Sequence, residues 1–197
     1  GLFWVDSEGG VHPALPGELK VNHSMDNFKY IANWQTSSYF SMQRGMGEMT
    51  TSETYRPMGV LTDIDDLSKI GDVVGLTSDK DWLYVAMDEG TNTHIYKGRE
   101  VWTGDKLQWQ WCPWVFLGTN VSSTISTAQH TTTDRRLWFG YGATGLTTAY
   151  VILSDNPLGD PVARYAASGW LRMSYIYGTD PNFDKLWQSA VLEVERV

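Results

Sequence analysis

Short runs of β-branched and aromatic residues, separated by polar turns, recur along this chain. Residues 82–87 lead through a polar turn at 88–92 into residues 93–97, and residues 136–139 lead through a glycine-rich turn into residues 148–153. Apolar runs bounded by Gly, Asp and Asn predict β-hairpins. Apolar residues do not recur at helical spacing over any long window. The pattern therefore predicts an all-β protein built of antiparallel sheets.

Strand and helix signals differ sharply in number. Residues 63–70 and 184–190 are the best helical segments, and both are short. Residues 45–72 are rich in Met, Gly, Thr and Asp, which predicts a long connection. Strands are predicted at 2–5, 28–33, 37–43, 73–77, 82–87, 93–97, 114–118, 124–129, 136–141, 148–154, 170–177 and 190–197.

The aromatic strand units repeat. Leu83 and Leu137 align at an offset of 54 residues, and a weaker copy at residues 38–42 lies upstream. Four-stranded propeller blades span about 40–50 residues. Residues 28–155 therefore resemble consecutive blades of an irregular β-propeller, with inner strands predicted at 73–76 and 126–130. A β-sandwich with two similar hairpins is the alternative fold.

A second resemblance concerns the end of the chain. A strand signal at 170–174 leads through Asp180-Pro181 and Lys185-Leu186-Trp187 into the alternating residues 191–197. This succession resembles segments of structural proteins of tailed phages, in which a propeller-like region precedes a sheet domain. It divides the chain into a propeller-like region, 1–168, and a strand segment, 169–197, that docks on the same or a neighbouring sheet. The resemblance implies a virion component with a host-attachment or tail-assembly role and no catalytic residues.

The net charge of the chain narrows the classes of binding partner. The formal net charge is -8, with 15 basic and 23 acidic residues, and no basic run occurs. Nucleic acid and anionic membranes attract clustered Lys and Arg, so neither is an expected partner. No apolar stretch has the length of a membrane span.

The single cysteine, Cys112, excludes an intrachain disulfide, and its apolar neighbours predict a buried thiol. The start at Gly1 favours a piece of a longer polypeptide.

The richest concentration of indoles is the main candidate for binding. Side chains alternate along a strand, so Trp109 and Trp111 should share one face while Gln108 and Gln110 occupy the other. An exposed pair would offer a platform for a sugar ring or a protein partner, whereas a buried pair would pack between sheets. Burial is the expected arrangement. The candidate binding residues are Trp102, Trp109, Trp111 and Trp114.

Two motifs suggest cofactors but lack the required context. Gly140, Gly142 and Gly145 match the spacing of a dinucleotide-binding loop, yet residues 146–153 predict a strand where that site needs a helix. The acidic run at 63–66 lacks the Gly and Glu of an EF-hand loop. We therefore expect no cofactor, although a loosely bound calcium ion on Asp side chains and loop carbonyls is compatible with the sequence. The histidines lack metal-ligand spacing, and His94 is predicted to pack across strands.

Three functions are compatible with these features. The favoured one is a non-enzymatic structural or recognition protein of an extracellular assembly, such as a virion or phage tail, that contacts other subunits or its own copies. The second is a carbohydrate-binding module that uses exposed Trp. The third is a glycoside hydrolase on a propeller scaffold, which would need two carboxylates across the scissile bond. Its acidic candidates lie mostly in turns: Asp79, Asp81, Asp88, Glu89, Asp134, Asp155, Asp180 and Asp184.

Overall fold

The described part of the chain is composed of antiparallel β-strands. The computed structural model describes residues 3–13, 25–42, 45–52, 55–58, 71–119, 124–131, 134–142 and 147–155. Within these ranges the chain forms thirteen strands and no helix. All strand pairs are antiparallel. The predicted all-β class with antiparallel sheets is therefore confirmed.

The strands form three meandering sheets and a small separate ribbon, each in chain order. The separate ribbon pairs β1 (Phe3–Val5) with β2 (Val11–Pro13). The first sheet comprises β3 (Ile31–Trp34), β4 (Ser37–Ser41), β5 (Met46–Thr50) and β6 (Tyr55–Met58). The second comprises β7 (Asp72–Ser78), β8 (Leu83–Asp88), β9 (Thr93–Thr103) and β10 (Lys106–Gly118). The third comprises β11 (Ile125–Gln129), β12 (Arg135–Tyr141) and β13 (Thr147–Ile152).

The first strands of successive sheets lie side by side. β7 contacts β3 of the first sheet and β11 of the third. Such adjacency of first strands is how propeller blades are arranged around an axis. Open antiparallel sheets of three and four strands are also compatible with a sandwich. The sheets thus match the propeller-like or sandwich architecture that the sequence predicts.

The sequence repeat corresponds to the second strand of each sheet. Leu83 begins β8 and Leu137 lies in β12, and both side chains are fully buried. The weaker upstream copy places Tyr39 and Phe40 in β4, again buried. A second strand has a neighbour on each side, so its side chains meet the densest packing. This position explains why apolar residues recur there.

Two apolar clusters hold the sheets together, one on each face of the second sheet. The alternation of β8 directs Leu83, Val85 and Met87 to one cluster and Tyr84 and Ala86 to the other. Because both faces are covered, β8 is a continuous apolar run rather than an alternating one. Each large apolar side chain buried in this way contributes about 1.5–3 kcal/mol. The first cluster also contains residues of the first sheet, and the second contains residues of the third.

Turn chemistry explains the tight connections within the second sheet. The carboxylate of Asp79 accepts hydrogen bonds from the backbone N–H groups of Asp81 and Trp82, both at 2.8 Å. In the next turn, Asp88 accepts from the N–H of Gly90 at 2.9 Å. Gly90 has a φ of 87°, which glycine adopts without a steric penalty. Both turns use Asp to bond backbone groups that the strands leave unpaired.

The prediction of a long connection over 45–72 is wrong for its first part. Met46–Thr50 and Tyr55–Met58 are strands β5 and β6. Their β propensity is low, and packing supplies what propensity lacks, since Gly47 lies directly against the rings of Phe40 and Tyr55. Residues 59–70, including the predicted helix and the acidic run, lie outside the described residues.

Strands β9 and β10 are much longer than the predicted segments at 93–97 and 114–118. Gly98 and the charged and amide residues beyond it conceal the strand signal. The expected burial of Cys112 is also wrong, because the thiol is exposed. Cys112 lies on the outermost strand of the second sheet, opposite Lys97 rather than in the core.

The C-terminal predictions concern residues beyond the described sheets. The described sheets belong to a compact unit that ends at Leu153. The predicted strands at 170–177 and 190–197, the helix at 184–190 and the boundary between residues 168 and 169 all lie outside the described residues. They stay predictions.

Candidate functional site

The hairpin of β9 and β10 extends beyond the rest of the second sheet. β8 pairs with Thr93–Gly98, the first half of β9. Residues 99–103 pair with 106–110 of β10 and continue as a two-stranded projection, which we call the arm. Gly104 forms its tip with a φ of 66°. The arm places the tryptophan-rich part of the sequence beside the first sheet.

Trp109 and Trp111 face the first sheet and stack on each other. Their ring centroids are 5.2 Å apart with an interplanar angle of 16°. Trp109 also lies 5.4 Å from the ring of Trp34 and 5.6 Å from that of Tyr39. Gln108 and Gln110 are exposed on the opposite face. The prediction that the two indoles share a face is confirmed, and both are partly buried against the first cluster.

Trp114 and Trp102 lie in different surroundings from that pair. A β-bulge after Pro113 changes the facing of β10, so Trp114 packs with the second cluster. Its ring is 5.5 Å from that of Tyr84, and the ammonium group of Lys97 lies 5.2 Å from its centroid. Trp102 is near the tip of the arm and 70% exposed. The four indoles therefore do not form one surface, and their binding role stays a prediction.

A network of charged groups that was not predicted from the sequence joins the arm to the first sheet. Glu48 in β5 is 2% exposed and accepts hydrogen bonds from Arg56 and from the hydroxyl of Tyr39, the latter at 3.1 Å. Arg56 also donates to Glu100 of the arm at 2.6 Å. The hydrogen bond to Glu48 raises the pKa of Arg56 further, so its positive charge is secure. Burial, followed by the charge of Glu48, raises the pKa of Tyr39.

Beside this network, an open groove of about 370 Å³ lies between the arm and two turns. One wall comes from the β3–β4 turn, the second from the β7–β8 turn, and the third from the arm. The guanidinium carbon of Arg99 lies 4.4 Å from the ring centroid of Trp82, a cation–π contact. We call this the Trp102 groove; its lining residues are Trp34, Gln35, Lys80, Asp81, Arg99, Glu100, Val101 and Trp102.

A second groove, of about 310 Å³, lies where the third sheet meets the β7–β8 turn. Its main feature is an ion pair, with the guanidinium of Arg135 3.4 Å from the carboxylate of Asp79. Asp79 also accepts from the hydroxyl of Tyr84 at 3.0 Å. Burial, followed by the charge of Asp79, raises the pKa of Tyr84. The hydroxyl of Thr127 donates a hydrogen bond to the carbonyl of Ser78 at 2.7 Å. This bond and the ion pair connect the second and third sheets at the groove.

Other acidic candidates from the sequence also have structural partners. Glu89 accepts from the hydroxyl of Tyr96 at 2.6 Å, and Asp134 pairs with Arg136 at 2.6 Å. Asp180 and Asp184 lie outside the described residues. Among the residues the structure describes, no three His, Cys, Asp or Glu side chains cluster as a metal site would require. His94 pairs across strands with Phe116, with ring centroids 4.8 Å apart, as predicted.

The glycine-rich sequence after β12 connects two strands rather than a strand and a helix. Tyr141 pairs with Thr147, and the pairing continues along β12 and β13. This hairpin confirms the interpretation drawn from the sequence. A dinucleotide site would need a helix N-terminus at the third glycine.

Comparisons with protein-family models, curated proteins and solved structures give no match for this chain. Within the described ranges, no helix has the length and apolar character needed to cross a membrane.

Proposed function

We propose that this chain is a non-enzymatic recognition scaffold of an extracellular assembly and that the Trp102 groove is its recognition surface. The single observation that carries the proposal is the exposure of Trp102. Trp34, Trp109, Trp111 and Trp114 pack against other aromatic side chains of the sheets, whereas Trp102 is 70% exposed at a groove. An exposed aromatic beside polar groups is typical of a binding surface.

The placement of the acidic residues supports a scaffold rather than a hydrolase. Glu48 and Glu100 share Arg56, and Asp79 is held by Arg135. Hydrolysis of a glycosidic bond needs two carboxylates that face the bond from opposite sides. Pairing with arginine gives the carboxylates of Glu48, Glu100 and Asp79 each a structural role.

The virion or phage-tail setting rests on the sequence resemblance of the C-terminal region. It is a proposal for the assembly in which the scaffold works, with other subunits or copies of the chain as partners. An acidic chain without basic runs fits partners other than nucleic acid. We propose a virion or another extracellular particle as the setting of this scaffold.

Adsorption to intact bacterial cells tests the recognition role. The fluorescently labelled chain should bind a panel of species saturably in at least one case, and Trp102→Ala should weaken that binding about tenfold, as removal of a central aromatic does. Phe116→Ala is the matched control, because Phe116 is a 62% exposed aromatic at the other end of β10. If the chain adsorbs saturably to none of the species, the proposal is contradicted.

Release of reducing sugar from mixed glycans tests the non-enzymatic part. We expect no release above buffer. If the intact chain releases reducing sugar and either Glu100→Gln or Asp81→Asn abolishes that release, the scaffold role is contradicted and the glycoside hydrolase is favoured.

A further inference from the structure

We propose that the Trp102 groove binds a neutral saccharide, stacked on the indole of Trp102 and hydrogen-bonded by the charged side chains around it. This inference rests on the proposed recognition role and names the ligand class.

The exposed ring supplies the apolar contact. Trp102 pairs across the arm with Leu107, which is 45% exposed, so both apolar side chains lie on one face of the arm. A sugar ring has an apolar C–H face that matches the flat surface of an indole. Stacking there would remove apolar area from water, which is favourable by about 25 cal/mol for each Å² buried.

The charges around the groove favour an uncharged ligand. The lining contains two cations, Lys80 and Arg99, and two carboxylates, Asp81 and Glu100. Opposite charges in equal number give the lining no net charge to attract a polyanion, and the chain as a whole carries a formal charge of -8. The same four groups offer donors and acceptors for hydroxyl groups, and hydrogen bonds to ionised partners are the stronger kind.

These polar groups already contact partners within the protein. Arg99 rests on the ring of Trp82, and Glu100 is anchored 2.6 Å from Arg56. Asp81 lies 3.7 Å from Lys80 and 3.6 Å from Arg135. Groups that already have partners lose less conformational entropy on binding than free ones. The groove volume of about 370 Å³ falls at the lower end of the range for small-molecule sites, which suits a short saccharide.

A glycan array with neutral, sialylated and sulfated oligosaccharides tests the ligand class, followed by calorimetric titration of the strongest ligand. We expect neutral saccharides to bind and charged ones to be excluded. Trp102→Ala should reduce affinity at least about tenfold, as expected for a central aromatic. Phe116→Ala should leave it unchanged. Affinity should vary little between about 50 and 500 mM NaCl, because no net charge is being screened.

The outcomes separate this inference from the recognition role. Failure of the intact chain to bind any neutral saccharide overturns the inference, as does an equal loss in the Trp102 and Phe116 variants. If cells still adsorb the chain through Trp102 while glycans do not bind, the ligand is a protein and the recognition role stands. If adsorption is independent of Trp102 as well, both proposals fail.

Discussion

The ring of Trp111 lies directly over Gly98 on the neighbouring strand. The two residues are cross-strand partners at the base of the arm, where β9 leaves its pairing with β8. A Cβ on Gly98 would overlap the six-membered ring of Trp111. The absence of a side chain therefore lets Trp111 lie flat, where it stacks with Trp109 and packs on the first cluster.

Gly98→Ala should destabilise the protein by about 1–3 kcal/mol, because the added methyl group displaces the indole from a packed position. Urea denaturation followed by circular dichroism measures the change. The double variant Gly98→Ala/Trp111→Ala should lose less stability than the two single variants lose together, because without the indole the added methyl group overlaps nothing. Strict additivity would mean that the two residues do not interact.

Removal of Arg56 should destabilise the junction between the arm and the first sheet. Arg56→Met leaves the buried carboxylate of Glu48 without its cationic partner, and we expect a loss of about 2 kcal/mol, moderated by the partial exposure of Arg56. Chemical denaturation checks this value. Glu48→Gln/Arg56→Met serves as the control and should recover part of the loss. No recovery would show that the ion pair is not the source of the effect.

Stability should fall steeply in alkaline solution because of two buried phenols. Burial raises the pKa of both Tyr39 and Tyr84 in the folded state. The unfolded phenols ionise near pH 10 while the folded ones keep their protons, so the unfolded state gains the advantage as pH rises. The two phenols therefore contribute fully to the free energy of unfolding below about pH 10. Above that pH the contribution falls, by up to about 1.4 kcal/mol per pH unit for each phenol.

Tyr84→Phe isolates this effect. The variant should lose about 1 kcal/mol at neutral pH, because Asp79 loses a hydrogen-bond donor, and its stability should decline less steeply than that of the wild type above about pH 10. Urea titrations at several pH values between about 8 and 12 give both quantities. Parallel declines in the two proteins would contradict the assignment.

The exposed thiol of Cys112 should react in the native protein. Its side chain is exposed on the outermost strand of the second sheet, and its thiol lies 3.4 Å from the carbonyl of the adjacent Pro113. Labelling by an aromatic disulfide reagent should therefore reach one thiol per chain without denaturant, at a rate similar to that of the unfolded chain. Labelling that requires denaturant would mean that the edge of the sheet is covered in solution.

Local pattern determined the strands and the facing of their side chains. The β-branched and aromatic runs at 82–87 and 136–141 placed β8 and β12, and the period of two placed Trp109 and Trp111 on one face. These properties depend on neighbouring residues along one chain, and backbone geometry fixes them.

Tertiary structure decided which face is covered and which charges meet. β5 and β6 form despite weak propensity because the neighbouring strands pair with them. Arg56 and Glu100 meet although 44 residues separate them, a bulge directs Trp114 to the opposite cluster, and Trp102 is left exposed beside a groove. Such features depend on how separate sheets pack, and the energies that select them come from contacts between residues distant in sequence.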